Sequence, residues 1–495
     1  MMKTNTLSFN TQALRKKVLN LAMRGKLVPQ DLNDEPASVS LGRIKSERAA
    51  LVKERKLKRS KNLPKITGDK EPFSIPDSWK WTYLNDVANI TKLAGFEYTK
   101  YIRPNLTNKG IPLFKAKNIQ PGVIIEDFEN YIPEDISDSL IRSQLNKKCL
   151  LTPYVGSIGK VAIFSGKYKA HLGSNVGKIE MIKVENRGVS EEFIMYYLQS
   201  SYGFEQLTKH LKSTAQPSIS ITALRETIVP FPPLEEQKRI VAKISRLFDQ
   251  IDKIELASRQ YTELQSSLRS KVLEVAIHGK LVRQDSTDEP AGVLLDKIKS
   301  EKDELIKEKK IKKSKPLPEI TDDEKLFDIP DSWEWVRLGD IGVWAAGATP
   351  SRKHPEYYGG NIPWLKTGDL TDGVVNTTSE KITELGVKNS SVKLNKPGNV
   401  LIAMYGATIG KLGIVGDKEI VTNQACCGCN LFDGVYNWYL FYYLLASRRR
   451  LIKLGSGGAQ PNISKKKIEN FVFPVPPLEE QKRIVNKIEK VFSSL

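Results

Sequence analysis

Four cysteines and four histidines in 495 residues leave little material for redox, metal or nucleophilic chemistry. Cys149, Cys426, Cys427 and Cys429 are too few for a disulfide scaffold and point to a reducing compartment, the cytoplasm. Cys426 and Cys429 have C-x-x-C spacing. No second Cys or His pair completes the four ligands that zinc needs, so buried thiols in an apolar strand are expected. His171, His210, His278 and His354 show no H-E-x-x-H or other paired-ligand spacing and read as structural or exposed. No run of about 18 apolar residues is present, so no membrane-spanning helix is expected. The first residues, MMKTNTLSFNTQALRKK, lack the apolar stretch of a signal peptide. Phosphate loops are also missing. GSIGK at Gly156–Lys160 is followed by Val161 and TIGK at Thr408–Lys411 by Leu412, where G-x-x-x-x-G-K-[ST] is required. Both read as tight turns that use the freedom of Gly159 and Gly410. The Asn/Asp-Pro-Pro-aromatic tetrapeptide of amino-methyltransferases is absent too. No catalytic residue and no metal ligand is assigned.

What the chain has in surplus is positive charge. Its 77 Lys+Arg stand against 57 Asp+Glu, a net +20 with pI near 9.4. That surplus favours a polyanionic partner, most simply nucleic acid. Acids and bases are heavily interspersed, so solvated helix faces would account for part of it.

The sequence is also written twice. PPLEEQKRIVAKI at Pro232 returns as PPLEEQKRIVNKI at Pro476, LRKKVLNLAMRGKLVPQD at Leu14 as LRSKVLEVAIHGKLVRQD at Leu268, and IPDSWKW at Ile75 as IPDSWEW at Ile329. A period of some 250 residues is far beyond the roughly 20–50 of a solenoid and marks a duplicated domain.

A helical pattern runs from about Pro233 to Lys280. Ile240, Leu247, Ile254, Tyr261, Leu268 and Val275 recur every seventh residue, with Ile244, Ile251 and Val272 as companions and Ser258 and Gln265 as polar breaks. This is an a/d seam of a coiled coil. Such a helix is on the order of 70 Å long. Leu7, Leu14 and Leu21 in the N-terminal helix, and Ile484, Ile488, Val491 and Leu495 in the C-terminal one, map onto the same seam. The two ends together rebuild nearly one copy of the central helix. They are expected to meet and pack antiparallel against it. Each repeat then carries a basic stretch, Lys53–Lys61 and Lys307–Lys315, which is either a phosphate-facing patch or a solvated helix end.

These landmarks divide the chain into an N-terminal helical arm with its basic linker (1–70), a first module (71–231), central helices with a second basic linker (232–325), a second module (326–475) and a distal helix (476–495). The fold class is α+β: two mixed α/β modules separated by antiparallel coiled-coil helices with pseudo-twofold internal repeat. The modules share IPLFKAKN at Ile111 with IPWLKTGD at Ile362, YVGSIGK at Tyr154 with YGATIGK at Tyr405, and AQPSIS at Ala215 with AQPNIS at Ala459. They diverge at LAGFEYTKYIRPN (93–105) against AAGATPSRKHPEY (345–357). One frame with two surfaces suits two readers of different sequence.

The chemistry on offer is recognition. Lys115, Lys117 and Asn118 in the first module match Lys366, Thr367 and Asp369 in the second. Lys can read guanine, Asn adenine, and Asp can accept from cytosine. Lys160 and Lys411, beside turn glycines, suit phosphate, and Ser157 and Tyr405 lie in the same turns. Gln216 and Gln460 read as locks of a return loop.

The PPLEEQKRIV openings, the GKLV ends (Gly25–Val28 and Gly279–Val282), the IPDSW segments and the IGK and AQP-x-IS marks, in this duplicated order, resemble the specificity subunits of type I restriction–modification systems over essentially the whole chain. The resemblance implies two target-recognition domains, each reading half of a bipartite double-stranded DNA site. It implies helices that set the gap, two methyltransferase subunits docked on them, and motor–nuclease restriction subunits completing the complex. S-adenosylmethionine and ATP with Mg²⁺ would belong to those partners, with no cofactor on this chain and no membrane contact. The alternative is a coiled-coil adaptor that binds proteins without reading bases.

Overall fold

The structure, a computed structural model, describes residues 9–59, 63–185, 187–209, 211, 217–455 and 462–495. The chain divides into two compact units, Ser8–Ser258 and Arg259–Leu495. The division falls inside one uninterrupted helix, Leu234–Ile277, of 44 residues. Proline at Pro232 and Pro233 opens this helix, where a missing N–H costs nothing. Gly279, in the left-handed region (φ 70°), follows its end.

In the first unit the N-terminal helix (Thr11–Met23) runs antiparallel to the central helix. Thr11 Oγ1 donates to Glu255, Arg15 pairs with Asp252, and the Arg15 guanidinium lies over the Phe248 ring. In the second unit the C-terminal helix (Leu478–Ser494) does the same. Gln265 donates to the Leu495 carbonyl and Arg269 lies over Phe492. The meeting of the two chain ends, and Leu7 with it, falls outside the described residues.

The expected seam needs correction in its middle. Ile240, Ile244, Ile251, Val272, Ile484 and Ile488 are buried and Leu247 is half-buried. Leu14, Ile254 and Leu268 are exposed, at 39%, 40% and 46%. The N-terminal helix presents Arg15, Leu19, Ala22 and Met23 to the protein, so Leu14 and Leu21 lie on its other side. Beyond Ile251 the buried line passes through Gln265, Val272 and Ala276, not through the Ile254–Leu268 line.

Each module hangs between a first and a last strand that pair antiparallel: Lys80–Tyr83 with Ile228–Phe231, and Glu334–Arg337 with Val472–Val475. Within the first module one sheet has the strand order Ala88–Lys92, Val176–Met181, Cys149–Pro153, Ala162–Phe164. A second has Tyr131–Ile132, Ile111–Phe114, Ala170–Leu172, Gln144–Leu145. The second module repeats both. Its first sheet gains Gly373–Val375, paired parallel to Leu412–Val415. Cys149, Cys426, Cys427 and Cys429 are all buried in central strands of these sheets, where burial pushes the Cys149 and Cys427 thiols up to about 12.

The repeated motifs explain one another where strand meets helix. The Trp79 indole donates to Glu236 at 2.9 Å, Gln30 donates to the same carboxylate at 2.5 Å, and Ser78 donates to Gln30 at 2.9 Å. Gln237 accepts the Ser190 N–H and donates to the Pro232 carbonyl, both at 2.9 Å. Arg239 holds Asp34 with two nitrogens, at 3.1 and 2.6 Å. The second unit repeats every bond: Trp333 to Glu480 at 3.0 Å, Gln284 to Glu480 at 2.6 Å, Ser332 to Gln284 at 3.0 Å, Gln481 between Tyr436 N–H and the Pro476 carbonyl, and Arg483 on Asp288. Glu236, Gln237, Glu480 and Gln481 are wholly buried. Burial pushes the Glu236 and Glu480 carboxyls above their ordinary value, against the pull of their indole and amide donors and of Arg239 or Arg483. Gly25, at φ 68°, sits so close to the Pro76 and Trp79 rings that a Cβ would lie 2.4 Å from Pro76 Cγ. Gly279 stands in the same relation to Pro330. PPLEEQKR, GKLV-x-QD and IPDSW are thus three parts of one lock that fixes a module to its helix.

Candidate nucleic-acid interface

After the strand Ile111–Phe114 the chain makes a short 3-10 turn, Ala116–Asn118, and its counterpart Thr367–Asp369 follows Tyr358–Leu365. Asn118 forms that turn from inside. Its carbonyl accepts the Lys115 N–H at 2.9 Å and its amide donates to the Ile125 and Asp127 carbonyls at 2.9 Å. It is 1% exposed, so the expectation that it reads adenine is overturned: every hydrogen-bonding group of its amide is committed inside the protein. Asp369 has the same post, accepting from Lys366 N–H at 2.9 Å and from Ser379 N–H and Oγ.

The lysines of these turns face outward and share a carboxylate. Lys115 and Lys117 reach Glu129 at 3.0 and 2.6 Å, and Lys366 reaches Glu380 at 2.6 Å. Glu129 is held below its usual range by Lys117 and Lys115, Glu380 by Lys366 and Arg352. Sequence reading missed these acids. The signal was there, since Glu129 and Glu380 stand at the same 251-residue offset as the lysines. Exposed ion pairs of this kind are weak, because water screens them, so a phosphate or a base edge can compete for the cations.

The two IGK turns carry the remaining residues. Tyr154 and Val155 are pinned to the segment Pro217–Ile219, with Gly156 N–H donating to the Pro217 carbonyl at 2.7 Å. Tyr405 is bridged to Asn462 in the same way. Gln216 and Gln460 lie outside the described residues. Ser157, Lys160, Thr367 and Lys411 are half-exposed, and no ion pair is made by Lys160 or Lys411 among the described residues. Tyr405 is half-buried, which pushes its phenol up.

The divergent segments lie beside this shared frame. In the first module Phe96 is 68% exposed, and Glu97 is held by Arg142 at 3.0 Å. In the second, Arg352 lies over the Tyr358 and Trp364 rings and joins Glu380 at 2.7 Å, while His354 stacks on Tyr357. Among the described residues no group of three or more His, Cys, Asp or Glu could hold a metal ion, and no helix is long and apolar enough to cross a membrane.

Two modules of one frame, each locked to a helix and each setting lysines beside a segment of its own, define a duplicated recognition protein. The family described as type I restriction modification DNA specificity domain matches residues 76–264 and 330–495, and the chain belongs to it. Its work is therefore DNA sequence recognition as a specificity subunit, not catalysis. The chain is 28% identical to the type I restriction enzyme EcoAI specificity subunit of Escherichia coli, over 98% of this chain and 90% of that protein. It is 25% identical to the putative MjaX specificity subunit of Methanocaldococcus jannaschii, over 84% of this chain and 87% of that one. The crystal structure of an HsdS subunit from Thermoanaerobacter tengcongensis shares the fold, with a TM-score of 0.52 at 18% identity over 86% of this chain and 92% of that one.

Proposed function

We propose that each module reads one half of a bipartite, asymmetric site in double-stranded DNA. The carrying observation is the repetition of one frame and one lysine–carboxylate pair beside segments, 93–105 and 345–357, that differ in almost every residue. What is common to both modules serves the part of DNA that is the same everywhere: Lys160 and Lys411 take phosphates, and Lys115, Lys117 and Lys366 leave their carboxylates for the duplex. What differs serves the bases, with Phe96, Lys100, Arg352 and His354 as the groups that face them. Residues added to the central helix change the gap between half-sites, not the bases.

The chain works in the cytoplasm with two methyltransferase subunits and with motor–nuclease subunits, which bring S-adenosylmethionine and ATP with Mg²⁺. The exposed leucines of the helices support docking there: Leu14 and Leu21 in the first unit, Leu264 and Leu268 in the second. The test is replacement of residues 71–231 by the first module of a relative, followed by methylome sequencing of a host carrying the complex. One half-site changes and the other stays. A change in both halves, or in neither, overturns the modular reading, and an adaptor that ignores bases leaves the methylome untouched.

A further inference from the structure

The two basic stretches are fastened at both ends. The helix Ala37–Lys53 ends with Arg55 in the left-handed region (φ 61°), and Ala291–Lys307 ends with Lys309 there (φ 57°). These are two of the five non-glycine residues with positive φ among those described, a conformation that side chains with a Cβ seldom adopt. An apolar plug holds each. Leu57 N–H donates to the Leu51 carbonyl at 3.1 Å and Ile311 N–H to Leu305 at 3.2 Å, and both plugs pack on their unit's core. The far ends are tied as well: the Tyr83 hydroxyl donates to the Pro64 carbonyl at 3.0 Å, and Arg337 Nε to the Pro318 carbonyl at 2.6 Å. Lys58 and Arg59, and at the same repeat positions Lys312 and Lys313, are exposed and make no ion pair among the described residues. The acids of the stretches, Glu54 and Glu308, are taken by Lys56 and Lys310 at 2.8 Å. A merely solvated helix end needs neither a plug nor a tie.

We infer that these two straps are grips for the DNA backbone, apart from the base-reading modules. The inference rests on the reading that this chain binds DNA. Net charge of the partner is the only requirement, because a run of lysines carries no base code. The straps are not equal. Lys65, Gly68 and Lys70 flank the first, where the second has Glu319, Asp322 and Glu324, so the first grips harder.

The test uses the full chain assembled with its partner subunits. Affinity for a target duplex and for a scrambled duplex is measured over a range of salt. Lys58→Gln with Arg59→Gln should make the slope of log affinity against log salt shallower by roughly 0.9 per lost contact, thus about two, and equally on both duplexes. Lys312→Gln with Lys313→Gln should do less, and Lys58→Arg with Arg59→Lys should leave the slope intact. Unchanged slopes overturn the inference, including the case where only assembly weakens and the straps hold an acidic protein. So does a loss confined to the target duplex. Failure of the parent reading appears separately, as an unaltered chain that does not distinguish the two duplexes.

Discussion

Trp79 and Trp333 make the same bond to Glu236 and Glu480, to within 0.1 Å, whereas Tyr83 and Arg337, four residues further along each copy, share a position and little else. Tyr83 ties its strap with one neutral hydrogen bond. Arg337, 3% exposed, gathers the carbonyls of Pro318, Glu319 and Asn470 and both oxygens of Glu324. The lock must fit an identical helix in both units, and any change in one partner strands a buried charge. The tie needs only to hold a surface strap, so two unlike side chains serve. Identity of sequence between the units follows the cost of a mismatch, and the divergent segments of the modules are where a mismatch costs the fold least.

The largest losses are expected at the lock. Trp79→Ala removes a buried indole and leaves Glu236 with one donor fewer. A loss of about 3–5 kcal/mol is expected in the first unit, and the same from Trp333→Ala in the second. Denaturant-dependent hydrogen exchange, resolved by peptide, reads each unit separately. Tolerance of either substitution would mean the two locks are alike in geometry and unlike in consequence. The tie should give an unequal pair. Arg337→Leu leaves three carbonyls without their donor and leaves the Glu324 carboxylate only its bonds from Thr321; it should cost about 2–3 kcal/mol, while Tyr83→Phe loses one neutral bond and should cost about 1 kcal/mol. Equal costs would show that the extra bonds of Arg337 add nothing.

The architecture was legible because duplication fixed it: repeated PPLEEQ, GKLV and IPDSW placed both helices and both modules. Their mutual contact was not, since the partners lie 157 residues apart in Trp79 and Glu236 and nothing local marks a glutamate as buried. The heptad reading failed at Leu14, Ile254 and Leu268 for a related reason. A seven-residue period names a stripe without naming what covers it, and polar Arg15 and Gln265 proved to be the groups in contact. Asn118 misled because a turn-forming amide and a base-reading amide look alike in sequence; only its three internal bonds separate them.

Acid should separate the two units only slightly. Arg337 holds the Glu324 carboxyl down to about 2, below its value of about 4.3 in an unfolded chain. A carboxyl depressed by folding adds stability that is complete above the unfolded value and is lost as pH falls toward the folded one. The first unit has Lys70 at that position and a tyrosine tie whose phenol, raised by burial, does not titrate in acid. Glu236 and Glu480 have the opposite sign: raised by folding, they add stability at low pH that fades as pH rises through the raised value. Both units have one, so their effects cancel in the difference. Between about pH 5 and pH 2, protection should therefore fall further in the second unit than in the first, modestly, because 36% of the Glu324 side chain stays in water. Glu324→Gln should narrow the difference. If the two units lose protection in step in the unaltered chain, the Arg337–Glu324 pair does not distinguish them.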